Sequence, residues 1–152
     1  MALVAIDPGK ATGVAVFQDG VLHHATVCSL EECLIFIENE EPLRRGKPAG
    51  DCIIEVPQVY PGQQQKGDQN DLINLAVTVG RYAERATACG FHVTLVKPRE
   101  WKGQLPKDVC WQRVRETLTS FELDKLEKVP KSRAHNMHDA IGLGTWFQKR
   151  WR

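Results

Sequence analysis

The first apolar run of the chain, Ala2-Leu3-Val4-Ala5-Ile6, ends in a carboxylate, Asp7, and turns at once into Pro8-Gly9-Lys10-Ala11-Thr12-Gly13. A short apolar run bounded by turn residues reads as a buried strand. A buried strand that closes on an acid sets a charge at the rim of a sheet. That charge is costly unless a metal, a phosphate held through a metal, or a basic side chain compensates it. The construction recurs: Cys52-Ile53-Ile54 delivers Glu55 in the same way. A third acid, Asp139, falls on the apolar side of a C-terminal helical segment, beside Ala140, Leu143, Gly144 and Phe147. Three carboxylates on three apolar elements are the donor set of a hard cation.

Patterning around these acids predicts three strands first, at 2–7, 13–17 and 21–27, with Asp19-Gly20 as the hairpin turn between the second and third. Ser29-x-x-Glu32 is a capping box and opens a helix to about Glu38. A fourth strand follows at 51–56, and a loop rich in Gln, Gly and Pro at 57–69. A helix over about 70–89 carries the stripe Leu72, Leu75, Ala76, Val79 and Ala83, with Gly90 as its stop. A fifth strand at 91–96, a helix opened by Leu105-Pro106 and a last helix over about 135–149 complete the order. Hairpin-linked strands followed by crossovers imply an α/β chain: a mixed five-stranded sheet with helices on both faces.

At 152 residues the chain suits one domain, 1–152, with one core. Charged residues make up 26% and the formal net charge is only +1, so net charge alone does not indicate a polyanion partner. From Lys97 onward, however, basic residues outnumber acidic ones, which permits one. The five cysteines show no CxxC spacing and are read as reduced thiols. No apolar stretch reaches bilayer length, and Asp7 breaks the N-terminal run too early for a signal peptide. The expectation is a cytoplasmic protein with no membrane association.

Ile6-Asp7-Pro8-Gly9-Lys10-Ala11-Thr12-Gly13, Ile54-Glu55 and His135-Asn136-Met137-His138-Asp139-Ala140 together resemble the RuvC-type Holliday-junction resolvases, of the retroviral-integrase and RNase H superfamily. The element order agrees over nearly the whole chain. The resemblance implies an RNase H-like fold and a divalent-metal-dependent endonuclease. Such an enzyme resolves four-way DNA junctions by paired symmetric nicks as a homodimer. Asp7, Glu55 and Asp139 take three of the family's acidic metal-ligand positions. The fourth, usually Asp or His, lies three residues before the last acid and is Asn136 here. Asn136 and His135 share a helical face with Asp139, whereas His138 points elsewhere. The implied metal set is Asp7, Glu55 and Asp139 with Asn136 or His135.

The implied cofactor is Mg²⁺, two ions per site, with Mn²⁺ as a substitute. Two such ions stabilise the charge that grows on the entering and leaving oxygens of a phosphodiester under attack by water. By the same resemblance Lys97, Arg99, Lys102 and Lys107 form a phosphate-contacting rim, and Lys107 is expected to be catalytic through the scissile phosphate. Lys131 and Arg133 extend that rim, Tyr60 is placed to stack on bases, and Trp101 is expected to be exposed near DNA.

Two other functions compete. A catalytically silent nucleic-acid-binding module of the same fold is favoured by Asn136 and opposed by the three acids. An actin-like ATPase lobe also opens with Asp-x-Gly, but such proteins need two lobes, more than 152 residues hold.

Overall fold

A computed structural model describes residues 1–40, 50–59 and 67–151. Strand β1 (Ala2–Asp7) lies in the middle of a five-stranded sheet, flanked by β2 (Thr12–Gln18) and β4 (Asp51–Glu55). β3 (Val21–Cys28) and β5 (His92–Val96) form the edges, giving the order β3-β2-β1-β4-β5. The β1–β2 and β2–β3 pairs are antiparallel, and the β1–β4 and β4–β5 pairs are parallel. All six residues of β1 are buried, as a central strand covered on both faces requires. At the β2–β3 turn Asp19 has φ 51° and Gly20 φ 85°, the two positive dihedrals of a tight hairpin that follows the strand twist.

One face is covered by α1 (Leu30–Asn39) and α2 (Gln69–Ala88). The other is covered by α3 (Pro98–Trp101), α4 (Lys107–Glu116), α5 (Ser120–Leu123) and α6 (Lys131–Phe147). The pleat sorts the residues: Val4, Ile6, Cys52 and Ile54 pack with Ile37, Val79 and Tyr82, while Leu3, Ala5 and Ile53 pack with Trp101, Val114, Ile141 and Leu143. Each large side chain buried in these layers contributes about 1.5–3 kcal/mol. Tyr82 is fully buried because its hydroxyl finds Thr12 Oγ1 at 2.7 Å.

Three expectations are corrected. The last helix starts at Lys131 rather than about 135, since Pro130 sets the start and Lys-Ser-Arg-Ala continues the helix readily. α3 and α5 were not foreseen, although each carries a start signal: Pro98 at the first helical turn, and a Thr119-x-x-Glu122 capping box. The buried stripe of α2 is Val79, Tyr82 and Ala86, whereas Ala76 is exposed. Ile73 and Val77, on the face of α2 turned away from Val79 and Tyr82, remain 61% and 60% exposed.

Candidate active site

Strand alternation carries the acids to one face. Leu3 and Ala5 point toward α6, so Asp7 does too; Ile53 does, so Glu55 follows. β1 and β4 run parallel, which brings their C-terminal ends to the same edge of the sheet. α6 crosses that face and supplies Asp139. The crossing is close: a Cβ on Gly13 would lie 1.9 Å from the Asn136 carbonyl oxygen, so this position of β2 admits only glycine. The Asn136 carboxamide secures the contact by donating to the Ala11 carbonyl at 2.7 Å.

The cluster contains a cation from the chain itself. Lys102 Nζ donates to Asp139 Oδ2 at 3.0 Å and lies 3.4 Å from Glu55 Oε2. Lys102 also sits over the Trp101 ring, 4.8 Å from its centroid. Trp101 Nε1 donates to Glu55 Oε2 at 2.6 Å, fixing that carboxylate from the side. Asp7 is 7% exposed, and no hydrogen bond to its carboxylate is found among the described residues.

The electrostatics follow from this crowding. Burial, then the neighbouring charges of Glu55 and Asp139, push the Asp7 carboxyl well above its usual range; Lys102 and Lys107 pull it only partly back. Burial also raises Glu55, against the opposing pull of Lys102 and the Trp101 hydrogen bond. Burial disfavours the charge on Lys102, but Glu55 and Asp139 overcome it and hold the ammonium above its usual range. Three acids facing one lysine leave the site under-compensated in positive charge. The chemistry of that donor set fits a divalent cation. Among the described residues, though, no three His, Cys, Asp or Glu side chains already close on one metal position. Lys102 stands between two of the acids instead.

The other expected site residues divide. Lys107 opens α4 on the exposed surface and acts on Asp7 through its charge. Lys97, Arg99, Lys131 and Arg133 are exposed. Lys102 is no surface rim residue: its side chain is only 17% exposed, because the acids draw it inward. Trp101 is likewise not exposed near DNA; it is 4% exposed, packed edge-on to Trp151 and hydrogen-bonded to Glu55. Its ring belongs to the core and its N–H to the site. Asn136 faces the β1–β2 turn, while His135 is exposed. His138 stacks on Trp111 at 3.7 Å, and burial lowers its pKa to about 4. Tyr60 lies outside the described residues. The contribution of Trp101 as a support for Glu55 was missed. The signal for it was Pro98, whose short helix turns the following residues back onto β4.

At the level of sequence, no family model and no curated protein matches the chain. Solved structures do. Thermus thermophilus RuvC in complex with a Holliday-junction substrate matches with a TM-score of 0.66 and 17% identity, over 99% of this chain and 95% of that one. A second structure of Thermus thermophilus RuvC matches with a TM-score of 0.57 and 22% identity, over 99% and 96%. The yeast mitochondrial Holliday junction resolvase Ydc2 matches with a TM-score of 0.55 and 13% identity, over 97% of this chain and 79% of that one. The element order, the mixed sheet and these matches over nearly its whole length establish that this chain has the RNase H-like fold of the RuvC-type Holliday-junction resolvases.

Proposed function

We propose that the chain is a divalent-metal-dependent endonuclease that cuts four-way DNA junctions by paired nicks, acting as a homodimer of a single nuclease domain, 1–152. The observation that carries this reading is the gathering of Glu55, Asp139 and Lys102, beside buried Asp7, at one sheet edge of a resolvase fold. Asp7, Glu55 and Asp139 would hold Mg²⁺ or Mn²⁺, with Asn136 or His135 of α6 as a further donor. Such ions, two per site, supply charge stabilisation for the entering and leaving oxygens and ease deprotonation of the attacking water.

The chain's own residues do the rest. Trp101 holds Glu55 in one orientation through its 2.6 Å hydrogen bond. Burial of Asp7 and the low exposure of Glu55 strengthen the charge interactions in the site. Lys107, at the exposed start of α4 and near enough to pull the Asp7 carboxyl down, would meet the scissile phosphate. Lys97, Arg99 and Lys131 offer further phosphate contacts. Two identical sites related by a twofold axis would match the near-twofold symmetry of a four-way junction.

The decisive experiment incubates a synthetic four-way junction and a linear duplex of the same sequence with the protein in Mg²⁺, in Mn²⁺ and in chelator. Paired nicks in the junction only, dependent on metal, are the expected result. Binding without cleavage in either metal would favour the silent module, the reading that Asn136 and the absence of a closed three-ligand shell among the described residues support.

A further inference from the structure

The acidic centre repels the very phosphates it is proposed to act on, so the DNA must be held by positive charge nearby. A cleft of about 360 Å³ lies on the same edge of the sheet, lined by Lys10, Cys28, Ser29, Glu32 and Arg133 among others. Its position follows from register. Asp7 pairs with Gly13, and Gly13 with Val27, which also lines the cleft. Two strand spacings place the cleft about 10 Å from Asp7. Arg133 precedes Asp139 on α6 by six residues, about 9 Å of helix, so it too stands near the acids.

The lining suits an anion. Lys10 comes from the β1–β2 turn and Arg133 from the first turn of α6. Neither has an ion-pair partner among the described residues. Ser29 is the N-cap of the ten-residue α1, whose first turn adds partial positive charge. The carboxylate of Glu32 is turned back onto the Ser29 N–H at 2.8 Å within the capping box. Two cations against one engaged acid leave the cleft net positive.

We infer that this cleft, through Lys10 and Arg133, seats a second backbone phosphate of the DNA, on the nucleotides next to the scissile one. The inference rests on the proposed action on DNA and adds to it a residue, Lys10, and a second seat. The cleft then anchors the strand that the acids would push away.

The test uses the full chain, a synthetic four-way junction and chelator, so that binding is read without cleavage. Binding is titrated over a series of NaCl concentrations for the wild type and for Lys10→Ala combined with Arg133→Ala. The expected result is an affinity loss on the order of tenfold and a salt slope shallower by about 0.9 for each cation removed. A second readout is built in. Cys28 is half-buried in the cleft wall while the other four cysteines are buried, so iodoacetamide labelling followed by mass spectrometry reports on the cleft. Junction DNA should slow labelling of Cys28 in the wild type and not in the double variant. If the variant keeps the wild-type affinity and slope and DNA leaves Cys28 unprotected, the cleft is no phosphate seat. A wild type that binds no DNA overturns both readings, and one that binds in chelator but does not cut once Mg²⁺ or Mn²⁺ is restored overturns only the nuclease.

Discussion

Gly13 and Asn136 approach so closely that a single methyl group at Gly13 would lie 1.9 Å from the Asn136 carbonyl oxygen. Both contacting groups are backbone, so no side chain can rotate away. Gly13→Ala must therefore push α6 off β2 and carry Asp139 away from Asp7. The expected cost is about 3 kcal/mol, a fall in Tm of about 6–12 °C. Junction cleavage should vanish even at temperatures where the variant is folded by circular dichroism. An active Gly13→Ala protein would show that the acids need not be held this tightly.

Asp7→Asn should abolish cleavage and at the same time stabilise the metal-free fold. The Asp7 carboxyl is raised because the fold penalises its charge, through burial first and then through Glu55 and Asp139. Asn keeps the shape and removes the penalty. Thermal denaturation in chelator should show a Tm gain of about 2–4 °C for each kcal/mol recovered. Retained cleavage in Mg²⁺ would falsify the metal-nuclease reading, whatever the Tm.

Lys102→Gln removes the cation that lies between Glu55 and Asp139. In chelator the variant should melt lower than wild type, because the acids then face one another uncompensated. Adding Mn²⁺ should raise its Tm more than it raises that of the wild type, since a ligand that binds only the folded state stabilises by mass action. Equal Mn²⁺ shifts in the two proteins would mean that Lys102 and the metal do not share the same acids.

Acid should unfold the protein in part through Glu122, far from the candidate site. Glu122 is 1% exposed, and burial by itself would raise its pKa. Hydrogen bonds from Arg150 at 2.6 and 2.9 Å, from Leu22 N at 2.9 Å and from Thr119 N at 2.8 Å reverse that, and the carboxyl titrates at about 2. A folded pKa below the unfolded one gives stability that is full above about 4.5 and is lost as pH falls toward 2. Glu122→Gln should cost about 3 kcal/mol near neutrality, since it leaves Arg150 without its charge partner. It should also flatten the decline of Tm between pH 5 and 2. An unchanged acid limb would place the acid sensitivity elsewhere.

The proposed dimer has a candidate surface. Ile73, Ala76 and Val77 are exposed on α2, and a Cβ at Gly80 would meet nothing within 4 Å. These positions, at i, i+3, i+4 and i+7, form one helical stripe with no cover among the described residues. Light scattering should give a twofold mass for wild type and a monomer for Val77→Asp, with paired nicking reduced to single nicks. A wild-type monomer, alone and on the junction, would end the dimer proposal.

The sequence by itself determined the strands and the hairpin turn and singled out the three acids, because each is a local signal. Apolar alternation marks which side of a strand is buried, Asp19-Gly20 carries the two positive dihedrals, and an acid closing a buried run stands out against its neighbours. It also marked Gly13, though not its reason, which lies 123 residues away at Asn136. Only the tertiary structure decided the environment of Lys102 and Trp101. Read locally, Arg99-Glu100-Trp101-Lys102 is a polar surface stretch. Pro98 starts a one-turn helix that folds it inward, so the indole reaches Glu55 and the ammonium reaches Asp139. A lysine goes outward or inward according to whether acids from other elements converge on it. That is a long-range electrostatic fact, written in no window of the chain around residue 102.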